Sequence, residues 1–168
     1  MFGRESISAI LSLAGFKLER IQSVFGGQYL WIEAVPSDAT PAIFSSRTKD
    51  LVSLTKIFKD RAEAELVATK EKVWRLAKKG KLTLWGAGAK GVMLANMVDP
   101  DACVFDCVVD VNPRKQGGYL PGTGHAIVSS RELLERGGAT VVSTNSNYKD
   151  EIRQTLHEMG ITVDVTAV

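Results

Sequence analysis

Leu82-Thr83-Leu84-Trp85-Gly86-Ala87-Gly88-Ala89-Lys90-Gly91 decides how this chain is read. A short apolar strand, Leu82–Trp85, runs into glycines 86, 88 and 91, and Ala89–Met97 continues as an apolar-rich helix. G-x-G-x-x-G between a strand and a helix is the context in which that spacing has meaning. Glycine lets the backbone turn sharply and lets an anion approach the amides, and the helix adds the positive end of its dipole. Lys90, at the mouth of the helix, adds a cation suited to a phosphate. The competing reading is a tight strand-to-helix turn without a ligand, with Lys90 a solvated lysine reaching outward.

Downstream of this segment the pattern alternates. Strands are predicted at Leu82–Trp85, Val104–Asp110, Ala126–Val128, Thr140–Thr144 and Ile161–Val165. Helices are predicted at Ala89–Met97, Arg131–Arg136 (capped by Ser129 or Ser130) and Asp150–Met159. Such alternation predicts an α/β fold, a Rossmann-like parallel sheet of order 3-2-1-4-5 with helices on both faces. Upstream stands a long helix, Arg47–Lys79, in which Leu51, Leu54, Phe58, Ala62, Leu66, Val73 and Leu76 recur at helical spacing and Gly80 is the stop. At ~1.5 Å per residue it exceeds about 45 Å, which suits a helix linking two bodies or a plain packing helix. Before it come a helix, Ser6–Leu13, and two strands, Lys17–Phe25 and Gln28–Val35, joined by Gly26-Gly27 as a hairpin. Pro36–Pro41 reads as a linker. The chain thus divides near residue 46 into a small segment, 1–46, and an α/β domain, 47–168.

Bulk properties narrow the function classes. The 168 residues suffice for one compact domain. Twenty-one basic against 19 acidic residues leave a net charge of +2, far from the basic excess of a generic nucleic-acid binder. No apolar run approaches the ~20 residues of a membrane span, and Met1–Ser6 lacks the layout of a signal peptide. A cytoplasmic protein is expected. Cys103 and Cys107 sit in the apolar run Cys103–Val109, and their even spacing puts them on one face of a strand, where they read as two buried small hydrophobes rather than as a metal or disulfide pair.

Two further loops carry candidate chemistry. Val109–Gly124 follows the second strand and so begins at the sheet's carboxyl edge, where such folds bind ligands. Asp110 stands 24 positions after Gly86, near where a ribose-binding acid would fall, and Asn112, Arg114 and Lys115 follow it. Pro113, Pro121 and glycines 117, 118, 122 and 124 shape a long irregular loop, functional or merely solvated. Thr144–Tyr148 follows the fourth strand. Asn145 and Tyr148 suit base or sugar contacts, while a helix N-cap by Ser146 or Asn147 is the competing reading. His157 reads as a surface residue and His125 as structural rather than ligand-binding. No metal-binding spacing, no convincing carboxylate pair and no nucleophile with a base beside it is found, so no catalytic or metal-ligating residue is assigned.

With those residues in view, Leu84–Gly91 and Val108–Thr123 resemble the C-terminal domain of S-adenosylmethionine-dependent C-methyltransferases that act on nucleotide-linked deoxysugars. The string Asp110-x-Asn112-Pro113-x-Lys115-Gln116-Gly117-x-Tyr119-x-Pro121-Gly122-Thr123 carries the likeness, with Asn145 and Tyr148–Ile152 adding to it. It covers roughly Lys49 to the C-terminus. The first 35 residues are similar to the last helix and hairpin of the family's preceding methyltransferase domain. Gly124-His125-Ala126 departs from relatives that read His-Ile-Pro directly after the threonine.

The resemblance implies a division of labour. This chain would bind and position a nucleotide-diphosphate sugar through Gly86, Gly88, Lys90, Gly91, Asp110, Asn112, Arg114, Lys115, Asn145 and Tyr148. S-adenosylmethionine, not bound by this chain, would be held by a separate domain, so the chain reads as part of a larger enzyme. Two alternatives stay open: an NAD(P)-binding oxidoreductase domain, and a structural domain that forms a homodimer through the long helix and hairpin.

Overall fold

The computed structural model describes residues 3–38, 48–137 and 140–168. The chain divides into two compact units, Met1–Lys59 and Asp60–Val168. The first contains α1 (Arg4–Leu13) and an antiparallel hairpin of β1 (Phe16–Val24) and β2 (Tyr29–Pro36). Its turn runs through Phe25, Gly26 and Gly27, all at positive φ. No residue of α1 is buried, and Phe16, Phe25, Tyr29 and Trp31 of the hairpin are exposed. Arg47 and Ala39–Pro41, the start of the predicted long helix and part of the predicted linker, lie outside the described residues. The helix itself, α2 (Thr48–Ala77), continues into the second unit.

The second unit is a five-stranded parallel sheet of β3 (Leu82–Trp85), β4 (Phe105–Val109), β5 (Ile127–Val128), β6 (Thr140–Ser143) and β7 (Val165–Ala167), in the order β5-β4-β3-β6-β7. Strand periodicity sends alternate residues to opposite faces. Leu82, Leu84, Val108 and Val142 pack with the end of α2 (Val73, Leu76) and with α3 (Ala89–Val98) through Leu94, Ala95 and Val98. Cys107, Val109 and Val141 pack on the other face with Leu133 of α4 (Ser130–Arg136) and with Ile152 and Leu156 of α5 (Lys149–Glu158). Helices therefore cover both faces, as a parallel sheet requires.

Three expectations are corrected. The last strand is Val165–Ala167, not Ile161–Val165: Ile161 is buried under α5, and the chain needs the next residues to reach β6, where Val165 pairs with Val141. Cys103 is exposed and precedes β4, whereas Cys107 is buried within it. The cap of the turn after β6 is Asn145, whose Oδ1 accepts from the Asn147 amide, rather than Ser146 or Asn147. Ser129, of the two candidates, caps α4, in a reciprocal box with Glu132.

The Cys103 correction traces to Asp99. Fully buried at the end of α3, its carboxylate accepts from the amides of Cys103 (2.7 Å), Val104 (3.0 Å) and Phe105 (2.9 Å), winding residues 99–104 into a turn. His125 Nε2 lies 2.8 Å from Asp99 Oδ2, and His125 Nδ1 lies 2.7 Å from Thr123 Oγ1. Burial pushes the Asp99 carboxyl up, but the amides and the imidazole outweigh it and hold the group below its ordinary value. This chain of bonds fastens the end of the β4–β5 connection to the base of α3.

His125→Ala, which removes one hydrogen bond from the buried Asp99 carboxylate and leaves a void, is expected to cost about 1.5–3 kcal/mol in urea unfolding. The Asp99 contribution is present above the unfolded-state carboxylate value, about pH 4, and is lost as pH falls through the depressed folded one. Stability falling on acidification in the parent, with a shallower fall in Asp99→Asn, is the result that checks the sign.

Candidate functional site

The sheet registers bring three loops to one edge. Trp85 pairs with Val109 on one side and Ser143 on the other, so Gly86, Asp110 and Thr144 leave the carboxyl ends of three adjacent strands. Gly86, Gly88, Lys90 and Gly91, then Asp110, Asn112, Arg114 and Lys115, then Asn145 and Tyr148, all belong to these three loops and the first turns after them. The chain leaves β3 for β4 on one side and later returns to β6 on the other, so the loops after β3 and β6 part at a reversal of strand order.

The three glycines have different physical jobs. Gly86 sits at φ +102°, in a region that side chains disfavour. A Cβ on Gly91 would overlap the Gly86 carbonyl oxygen, so the first turn of α3 closes directly on the loop. Gly88 has ordinary φ and nothing within 4 Å of where its Cβ would be; it stands at the N-cap of α3 over open space. That cap supplies no side-chain bond, and the first turn of α3 carries no acid. The leading amides of a helix have no intrahelical acceptor, so this end of α3 offers donors and a positive dipole end. Lys90 is exposed on that same turn.

The second loop grips the first. Asp110 Oδ2 accepts from the Ala87 amide (2.7 Å) and from Lys115 Nζ (3.0 Å), and Oδ1 from the Asn112 amide (2.9 Å). Lys115 Nζ also donates to the Ala87 carbonyl (3.1 Å). Burial pushes the Asp110 carboxyl up, but the Asn112 amide, the Lys115 ammonium and the Ala87 amide hold it below its ordinary value. Asn112 Oδ1 accepts from the Arg114 amide and Gln116 Nε2 donates to the Asp110 carbonyl, so the segment is bonded to itself while the Arg114 side chain stays exposed. Across the reversal, Ser143 Oγ and Asn145 fix the start of the third loop, and Tyr148 is half-exposed at the start of α5.

The rest of the long loop does not stay at this edge. Gly117 and Leu120 donate to Ile127 and His125, Ile127 donates to Gly118, and Tyr119 bridges Ala126 antiparallel. The loop is thus the β4–β5 crossover, returning along β5. Asn96 Nδ2 holds the Pro121 carbonyl at 2.9 Å, and a Cβ on Gly122 would overlap the Asn96 side chain. Asp99 closes the far end of α3, roughly 16 Å from Gly88 by helix rise. A base beside a hydroxyl, missing from the sequence reading, therefore exists at Thr123–His125, but at the opposite edge of the sheet. Asp99 was overlooked too; its signal is the turn-forming Asp99-Pro100-Asp101 after an apolar helix. Among the described residues no group of three His, Cys, Asp or Glu is placed to hold a metal, and no helix is long and apolar enough to cross a membrane.

Residues 47–162 match the family model of the C-methyltransferase C-terminal domain, and those residues supply all three loops. The chain belongs to that family. Among curated proteins the comparison gives no match. Within this C-methyltransferase C-terminal domain, Gly86–Gly91 is the structural centre of the edge just described.

The glycine geometry separates two substitutions. Gly91→Ala forces α3 off the loop and is expected to lower stability by about 1–3 kcal/mol, by analogy with overpacked cores. Gly88→Ala meets no atom and is expected to leave the melting temperature close to the parent's. Equal melting of the two variants would show that the closure of α3 on Gly86 is not tight.

Proposed function

We propose that residues 47–168 form the substrate-side domain of an S-adenosylmethionine-dependent C-methyltransferase, and that the loops after β3, β4 and β6 bind the diphosphate and sugar of a nucleotide-linked sugar. The observation that carries this reading is the start of α3. It has no side-chain cap, no acid in its first turn, and Gly88 open above it, with the Lys115 ammonium anchored on the neighbouring Ala87. Lys90 and Arg114 are exposed on the same two loops. Amides at a helix N-terminus with flanking cations suit a pyrophosphate. Asn145 and Tyr148, beyond the reversal, would meet the sugar or base. We read the sheet as Rossmann-like, order 3-2-1-4-5 counted from β3, because ligands in such sheets occupy the crevice at the reversal.

S-adenosylmethionine, the methyl donor that the family implies for the whole enzyme, does not fit this edge. It carries a sulfonium cation, and Lys90, Arg114 and Lys115 would repel it. Its ribose would call for a carboxylate at the end of the second strand, and Asp110 there is engaged by Lys115 and two amides. The same engagement argues against a dinucleotide. We therefore assign the methyl donor to another domain, a partner that also suits the exposed aromatic residues of the hairpin. This domain's part is positioning, which converts a bimolecular encounter into a local one.

Calorimetry with thymidine diphosphate and with NADH tests the proposal. Binding of the diphosphate, weakened by added salt and by about tenfold or more in the Lys90→Ala/Arg114→Ala double variant, is expected. Preference for NADH, or unchanged affinity in the double variant, would overturn it.

A further inference from the structure

Asp110 and Lys115 together hold both polar groups of one residue, Ala87: the carboxylate takes its amide at 2.7 Å, the ammonium its carbonyl at 3.1 Å, and the two charges meet at 3.0 Å. Ala87 is the residue between Gly86 and Gly88, so its orientation sets the path into α3. Gly86 has no side chain to restrain it and lies at positive φ; at Gly88 no atom lies within 4 Å of where a Cβ would be. The Ala87 methyl is held in the buried core and the Gly86 amide by the Val109 carbonyl, so what the second loop's side chains add is a hold on the amide and carbonyl of Ala87 themselves. Asp110 is buried, whereas the Lys115 side chain is 38% exposed, and Nζ uses two of its three donors within the described residues.

We infer that Asp110 is a positioning residue for anion binding at this edge: through Lys115 and Ala87 it fixes the amides that open α3 and leaves one ammonium N–H for the ligand. The ligand arm of this inference rests on the function proposed above; the clamp itself does not. Its consequence runs against simple electrostatics. Removing a negative charge beside an anion site should strengthen anion binding if charge alone acts. If Asp110 positions, the same removal weakens it, because an asparagine at this position puts an amide group in place of one of the two carboxylate oxygens and cannot ion-pair with Lys115.

Asp110→Asn is compared with Asp106→Asn, a charge-equivalent change at the Asp106–Arg136 surface pair, by calorimetry with thymidine diphosphate and by amide hydrogen exchange without ligand. The expected result is at least a tenfold loss of diphosphate affinity in Asp110→Asn, no loss in Asp106→Asn, and faster exchange at Ala87 in Asp110→Asn alone. Equal or tighter binding in Asp110→Asn, or unchanged exchange at Ala87, would overturn the inference. A parent protein that binds no diphosphate while Asp110→Asn still frees the Ala87 amide would overturn the proposed ligand and leave the clamp standing. Should Asp110→Asn not fold, Lys115→Gln, which keeps the carboxylate–amide bonds, carries the test: affinity restored by Lys115→Arg supports the role of the ion pair, and affinity equal to the parent in Lys115→Gln sinks it.

Discussion

The closure of α3 on the glycine loop sets the geometry of the sheet domain's carboxyl edge. The Gly86 carbonyl occupies the space that any side chain on Gly91 would need. Because that contact is backbone on backbone, α3 leaves β3 with no slack, and its apolar face reaches Leu82 and Leu84 at once. The Gly86 amide is in turn held by the Val109 carbonyl at 2.7 Å, which ties the loop to the neighbouring strand before the side chains of Asp110 and Lys115 add their bonds. A helix start fixed in this way has its leading amides preorganised, which is what makes such a position useful for anions.

The fold was legible where period and punctuation agree. Leu82–Trp85, the glycines and Ala89–Met97 could be placed because a four-residue apolar run, a turn that needs positive φ and a helical pattern follow one another without ambiguity. Thr140–Ser143 and α5 were equally plain. The last strand was not, because Ile161, Val163 and Val165 alternate as a strand would while Ile161 packs beneath α5. Alternation records burial on one side and not hydrogen bonding. Cys103 failed for a related reason: its spacing from Cys107 is that of a strand, but a single buried carboxylate diverts residues 99–104 into a turn. Bonds from one polar side chain to backbone a few residues on leave no periodic trace in the sequence.

The candidate site divides the same way. That the loops after β3, β4 and β6 leave the same edge of a parallel sheet follows from the strand–helix alternation, which the sequence displays. What each residue does there is not legible in it. Asp110, placed by its spacing as a ribose contact, turns its oxygens inward to Ala87, Asn112 and Lys115. The long loop looked like one functional unit, yet only its first residues, through Gln116, are bonded at the edge; Gly117–His125 return along β5 as the crossover that parallel strands require.

Two buried aspartates hold the two ends of that crossover. Asp110 fixes its beginning at the carboxyl edge, and Asp99, through His125, fixes its end at the opposite edge. Both carboxylates collect backbone amides, and both are held below their ordinary values by those bonds against the cost of burial. A crossover of this length without a helix has little apolar surface with which to fix itself; Leu120 is its one fully buried large side chain among the described residues. Buried ionised groups take the place of a packed helix there. An anchored far end leaves the near end little freedom, so the exposed Arg114 and the half-exposed Lys115 are carried on backbone fixed from both sides, and a ligand meeting them would find that backbone already ordered.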